Sequence, residues 1–171
     1  MTRAADSFMV RGAVTSDVPR IEALMEPLVA ERILLGKERV SLYEAVQEFR
    51  VAESDQGEVI GCGALHVMWE DLGEVRTLAS SPTWRGRGVG HVILDRLEND
   101  ARALGLSRLF CLTFETTFFA SHGFREIGEG IVAPDVYAEL LRSSDEGVAE
   151  FLDLARVKPN TLGNTRMLKQ L

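Results

Sequence analysis

Apolar residues recur along this chain at two spacings, every second position and every third or fourth. The alternation of the two sets out the elements. Residues 10–14 read as a first strand, and Thr15-Ser16-Asp17 offers a helix cap before Ile21, Leu24, Met25, Leu28 and Val29 at helical spacing. Pro27 is expected to kink or end that helix near its middle. After the apolar Ile33-Leu34-Leu35 comes a polar, basic loop, 36–39, and then Ser41 with Glu44 three residues on, a capping box. Leu42, Ala45, Val46 and Phe49 form the stripe of a short second helix. Residues 51–53 and 59–68 read as antiparallel strands joined by a turn around Asp55-Gln56-Gly57.

The stretch 69–73 connects to a central strand, 74–79, in which Glu74, Arg76 and Leu78 alternate with Val75, Thr77 and Ala79. A helix over 91–104 buries Ile93, Leu94, Leu97, Ala101 and Leu104 and stops at Gly105. The apolar run 107–114 is a strand parallel to the central one, reached by a right-handed crossover. A short helical turn then ends at Gly123, before another strand. Pro134-Asp135 opens a helix through Leu141, and 148–154 is a further apolar stretch and a candidate homodimer surface. The tail, from Lys158, reads as a turn entering a last strand. With no repeat and no break in composition, residues 1–171 are expected to form a single domain.

Chemistry concentrates between the central strand and its helix, at Arg85-Gly86-Arg87-Gly88-Val89-Gly90. Glycines at alternate positions keep side chains off the backbone, so its N–H groups can approach a ligand closely. The helix that follows aims its unsatisfied amides and positive dipole end at the same place. Phosphate oxygens suit such a site, and Arg85 and Arg87 add charge. Spacing separates it from other phosphate loops. No Lys-Ser or Lys-Thr follows the glycines, and the dinucleotide fingerprint would need glycine or alanine where His91 stands.

Composition changes this picture little. An apolar fraction of 46% and a charged fraction of 26% are ordinary for a globular chain. The absence of a long apolar run argues against a membrane partner, and MTRAADSFMVRG lacks the apolar stretch of a signal peptide, so a cytoplasmic location is expected. Cys62 and Cys111 are too far apart for a paired motif and lie in apolar strands, so buried thiols are expected and a metal is not. A net charge of −7 without a basic run excludes nucleic acid as a partner. An anionic ligand must therefore be held locally.

A strand, then R-x-x-G-x-G, then a helix resembles the acetyl-CoA pyrophosphate loop of the GNAT acetyltransferases. Phe118-Phe119-Ala120-Ser121-His122-Gly123-Phe124 resembles their second signature, F-Y-x-x-x-G-F, at the expected distance. The chain as a whole is similar to the short, stand-alone N-acetylglutamate synthases. The likeness is carried by Ile33-Leu34-Leu35 with Lys37 and Arg39, Leu42-Tyr43-Glu44, Phe49 and Gly61-Cys62-Gly63-Ala64-Leu65. It continues through Gly73-Glu74-Val75-Arg76-Thr77-Leu78-Ala79, Leu112-Thr113 and Asn164-Thr165-Arg166. The resemblance implies an α/β (α+β) GNAT fold, its mixed sheet flanked by helices and splayed between the fourth and fifth strands. It implies acetyl-CoA as cosubstrate, no metal, and a small-molecule amino acid as acceptor. Segments placed like 18–49 arch over the acceptor in that fold.

In such an enzyme Glu74 takes the amine proton, directly or through water, and a backbone N–H near Leu78 or Ala79 holds the thioester oxyanion. Arg85, Gly86, Arg87, Gly88, Val89 and Gly90 grip the cosubstrate, with Leu78, Ala79, Phe118 and Phe119 beside it. The carboxylates of a glutamate-like acceptor call for Arg32, Lys37, Arg39, Arg76 and Arg166, with Thr165 as a neutral donor. Phe119 stands where many relatives carry a tyrosine that protonates the thiolate, and it cannot do so. The tail holds less arginine than is usual in this family, which points to glutamine as well as glutamate. Two other readings stand beside this one: a different small amine as acceptor, or an acyl-CoA sensor without turnover.

Overall fold

The alternating apolar runs become strands of one hydrogen-bonded sheet, and the 3.6-spaced runs become the helices that cover it. The computed structural model describes residues 7–128, 131–154 and 163–171. Among these the order is β1 (Phe8–Gly12), α1 (Val18–Ala30), α2 (Arg39–Glu44), β2 (Phe49–Ser54), β3 (Val59–Trp69) and β4 (Leu72–Ser80). Then follow α3 (Val89–Ala103), β5 (Arg108–Thr113), α4 (Thr116–Ser121), β6 (Arg125–Glu126), α5 (Pro134–Leu140), α6 (Glu146–Phe151) and β7 (Thr165–Gln170). The strands lie in the order β1-β2-β3-β4-β5-β7-β6. β4 and β5 run parallel, whereas β1–β2, β2–β3, β5–β7 and β6–β7 are antiparallel, so the sheet is mixed as expected. The parallel pair is in register from Leu72 opposite Arg108 to Glu74 opposite Phe110, although β4 continues to Ser80 and β5 to Thr113.

The residues group into two compact units, one of 1–65 with 75–100 and one of 66–74 with 101–171. In the first, α1 buries Val18, Ile21, Leu24 and Met25, one face at helical spacing. These pack with Leu42, Phe49, Val51, Cys62, Ala64 and Ala79. Alternation sends Gly61 and Gly63 of β3 to the opposite face. A Cβ at Gly61 would lie 2.7 Å from Val89 Cγ1, and one at Gly63 would lie 2.9 Å from Ile93 Cγ2. These two positions are glycine because α3, the helix behind the phosphate loop, sits down on the strand there. The entry to α1 is held by Arg11, which bonds Asp17 at 2.8 Å and also Glu53. That guanidinium keeps the Asp17 carboxyl below the usual carboxylate range.

In the second unit Met68, Leu72, Phe110, Leu140, Val148 and Phe151 form the core, with the rings of Phe110 and Phe151 edge-to-face at 5.2 Å. The apolar stretch 148–154 contributes Val148 and Phe151 to that core, while Leu152 and Leu154 stay half-buried.

Several boundaries differ from expectation for identifiable reasons. Pro27 does not end α1 at its middle; it sits in the last turns, and the helix runs on to Ala30. Ser41 is not a cap: α2 already begins at Arg39, so Ser41 lies inside the helix. The second helix does not reach Phe49, because Phe49 opens β2 and buries its ring in the sheet core instead. Leu104 was expected inside but is 62% exposed, since the helix ends at Ala103 and the chain reverses at Gly105, φ 87°. Leu106 takes the buried place, and its N–H closes on the Ala101 carbonyl at 2.9 Å. Part of the tail expected as a turn, 158–162, lies outside the described residues.

Candidate active site

The loop ahead of α3 is set by local backbone chemistry. A 3-10 turn over Pro82–Trp84 leads into it, and the Arg87 N–H returns to the Trp84 carbonyl at 3.3 Å. Gly86 and Gly88 adopt φ of 75° and 80°, where a side chain is strained. Gly90 needs no such freedom, because α3 has begun at Val89 and the Val92 N–H already closes on the Gly88 carbonyl at 3.1 Å. The amides of the first turn precede any intrahelical partner, so they and the dipole face the loop. Val89 is buried and seats the helix start on Gly61. Arg85 and Arg87 are exposed; the Arg87 guanidinium lies 4.9 Å over the Trp84 ring, and that ring meets Phe8 edge-to-face at 6.0 Å.

On β4, Glu74 is 4% exposed and opposite Phe110, and its negative charge adds to burial in raising the Cys111 thiol above its usual range. Arg76 and Leu78 are half-buried, and the Leu78 side chain reaches the Gly63 position. Between them Thr77 has φ 57°, a left-handed conformation rare for a β-branched residue. The buried Cys62 thiol donates to the Thr77 carbonyl at 3.5 Å. Burial pushes that thiol up to about 12, against a smaller opposing effect of the Ala79 N–H donating to its sulfur. Cys62 thus engages the main chain on either side of Leu78. Of the two amides expected to face an oxyanion, Ala79 spends its N–H on the thiol, which leaves Leu78 as the candidate.

The second signature is α4 and the turn after it. Phe119 is 5% exposed, stacked edge-to-face on Phe118 at 5.2 Å and on Phe124 at 5.1 Å. Phe118 is half-buried and also tilts against His122 at 5.2 Å. These rings make a firm wall and supply no proton.

The candidate acceptor residues fall in both compact units. Lys37 and Arg39 line an open cleft of about 610 Å³ formed with α1, together with Glu22, Glu26, Met25 and Val29. Arg39 is tied there to Glu22 at 2.7 Å, which raises its pKa further. Arg32 is exposed in the turn after α1, with φ 59°. In the second unit Thr165 pairs with Thr113, and Arg166 donates its Nε to the Glu150 carbonyl at 3.0 Å and a terminal nitrogen to the Phe151 carbonyl. Burial lowers the Arg166 pKa, and its visible partners are the main chain at the end of α6.

The glycine loop that opens α3 agrees with the sequence comparisons. Residues 22–128 match the acetyltransferase (GNAT) family. The chain belongs to that family. As a GNAT protein it is 59% identical over 162 residues to the amino-acid acetyltransferase of Mycobacterium tuberculosis, covering 94% of this chain and 92% of that one. It is 39% identical over 129 residues to the amino-acid acetyltransferase of Neisseria meningitidis, but spans only 29% of that longer protein. The fold matches Rv2747 of M. tuberculosis, crystallised in complex with CoA and NLQ, at TM-score 0.91 and 59% identity, covering 95% of this chain and 99% of that one. It also matches N-acetylglutamate synthase of Neisseria gonorrhoeae, complexed with coenzyme A and N-acetyl-glutamate, at TM-score 0.77 and 29% identity, covering 96% of this GNAT chain and 35% of the other.

Sequence reasoning missed the two residues that shape β4. Thr77 carries no signal, since a β-branched residue in a strand argues for regular extension. Cys62 was legible only as a buried thiol. Among the described residues no group of three or more His, Cys, Asp or Glu could hold a metal ion. No described helix is long and apolar enough to cross a membrane.

Proposed function

We propose that this GNAT acetyltransferase moves the acetyl group of acetyl-CoA to the α-amine of L-glutamate or L-glutamine, the opening step of arginine biosynthesis. The observation that carries the reading is Glu74, a buried carboxylate on the strand that feeds the phosphate loop. An α-amine has a reference pKa of roughly 7.7–8.0, so near neutrality much of it arrives protonated and a base is needed. Glu74 takes that proton, directly or through one water. The nitrogen lone pair then forms the C–N bond, and the thioester oxygen gathers the displaced electron pair as an oxyanion. The Leu78 N–H is the donor for it.

Collapse of the intermediate restores the carbonyl and breaks the C–S bond. A thiol of pKa about 8.5 leaves far more readily than an alkoxide would, given water's pKa of about 15.7. The nitrogen sheds its second proton as the amide forms, water relays that proton to the departing thiolate, and the buried Phe119 ring takes no part. Arg85 and Arg87 with the glycine amides hold the CoA phosphates, and Phe118, Phe119 and Ala79 border the chain of the cosubstrate. Arg32, Lys37, Arg39, Arg76, Thr165 and Arg166 are the donors for the acceptor's carboxylates. Arg39 and Arg166 would first have to share partners they already hold. Two free, buried cysteines suit a cytoplasmic enzyme.

The relatives named as amino-acid acetyltransferases support this choice of acceptor, as does the Neisseria synthase complexed with N-acetyl-glutamate. Thiol release from acetyl-CoA, measured with each of the twenty amino acids, tests it. Glutamate and glutamine are expected to turn over, with glutamine within a hundredfold of glutamate. A larger preference for glutamate removes glutamine from the proposal. A chain that binds CoA but releases no thiol with any acceptor is a sensor, the reading that the inert Phe119 favours.

A further inference from the structure

The indole of Trp84 lies directly under one of the two loop cations, and neither belongs to the glycine chemistry that shapes the loop. The Arg87 guanidinium is 4.9 Å from the Trp84 ring centroid, a cation–π contact between residues three apart on one turn. The ring is itself held. Its backbone N–H bonds the Ser81 carbonyl at 2.9 Å, Pro82 opens its turn, and Phe8 of the edge strand meets it edge-to-face at 6.0 Å. Arg85, two residues earlier and equally exposed, has no aromatic ring recorded beneath it among the described residues.

We propose that Trp84, backed by Phe8, is a positioning residue for the cosubstrate's phosphates: it sets where the Arg87 charge stands before acyl-CoA arrives. This rests on the acyl-CoA reading of the loop. An exposed arginine on a flexible turn samples many rotamers, and a phosphate that must order it binds correspondingly less well. An indole face removes part of that freedom in advance, and keeps the guanidinium edge, with its N–H donors, turned outward. Trp84 then acts through Arg87 and touches no phosphate itself. The effect falls on cosubstrate binding and leaves the chemical step on β4 alone.

The experiment is calorimetric CoA binding without acceptor, together with steady-state kinetics, for the full chain and for W84A, W84F, R87A, F8A and the W84A/R87A double variant. W84A is expected to weaken CoA binding and raise the acetyl-CoA KM about 3- to 10-fold at unchanged kcat, the range of cation–π contacts. W84F, which keeps a π face, is expected to recover most of the loss, and F8A to show a smaller loss of the same sign. The double variant should bind no more than about 2-fold weaker than R87A, because both changes remove one interaction. Losses that multiply in the double variant overturn the proposal, as does W84A binding CoA like the wild type. A fall in kcat with KM unchanged overturns it too. If the wild-type chain fails to bind CoA, the acyl-CoA reading itself fails, an outcome separate from the others.

Discussion

Two stretches of this chain adopt left-handed backbone, and they do so by opposite means. The loop at 85–90 uses glycine: Gly86 and Gly88 reach φ of 75° and 80° with open space around them. The bend in β4 uses Thr77, a β-branched residue at φ 57°, with a thiol from the neighbouring strand on its carbonyl. In the first case the backbone is permitted to take the conformation; in the second it is made to. Permission suits a site that must accept a flexible, many-atom phosphate group. Compulsion suits a single amide that must stand still while charge develops beside it, since a donor already in place costs no reorganisation during the reaction. On the proposed function, binding falls to the loop and chemistry to the strand.

The largest test of that division is Glu74→Gln. It is expected to lower kcat/KM by roughly 10²- to 10⁴-fold, the range for a general base, while CoA affinity by calorimetry stays as in the wild type. Loss of CoA binding instead would mean that Glu74 belongs to the binding half. Next comes the double change Gly86→Ala with Gly88→Ala. Each alanine in the left-handed region costs about 1–2 kcal/mol, so acetyl-CoA KM should rise roughly 30- to 700-fold with kcat held within about threefold. A collapse of kcat at unchanged KM would dissolve the distinction.

Cys62→Ala should do the reverse on a smaller scale. Losing a contact worth about 0.5–1.5 kcal/mol at the Thr77 carbonyl is expected to lower kcat up to about 10-fold and leave KM for acetyl-CoA unchanged. The same variant has an alkaline signature. Burial raises the Cys62 thiol to about 12, above its ordinary value of 9.0, so the folded state holds this proton more tightly than the unfolded one. That contribution to stability is complete below pH 9.0 and is lost as pH rises toward about 12. Denaturant midpoints of Cys62→Ala should therefore fall less steeply over that window than those of the wild type. An unchanged slope would show the thiol to be solvated.

The smallest effect is expected at Thr77→Gly. Glycine relieves about 1–2 kcal/mol of left-handed strain and adds about 0.5–1 kcal/mol of backbone entropy cost, leaving a net gain of about 0.5–1 kcal/mol in denaturant unfolding. A loss of more than about 2 kcal/mol would mean that the threonine side chain holds the bend, and that its conformation is not a strain imposed on it.

Much of the frame was legible because its causes are local. The crossover from β4 through α3 to a parallel β5, the glycine loop and the turn at Gly123 all follow from periodicity and residue conformation within a few positions. Ser41 misled for the same reason in reverse. A capping box is a local signal, and α2 started earlier, at Arg39, whose side chain reaches back to Glu22 on α1. The acceptor cations were the least legible part. Arg166 looks like a ligand residue in the sequence, yet its Nε goes to the Glu150 carbonyl, which no spacing rule connects to it.

The sequence by itself determined the shape of the loop. Glycines at 86 and 88 and a helix start at Val89 leave the backbone little else to do there, because φ preference and helix polarity act within one turn. Only the tertiary structure decided which main-chain groups of β4 the Cys62 thiol meets and which arginines are already engaged. Those outcomes depend on groups 15 residues apart, as with Cys62 and Thr77, or 16 apart, as with Arg166 and Glu150. Partners at that separation meet only after the strands have paired and the core has closed, and a buried carbonyl or thiol then takes whichever donor or acceptor the packing brings.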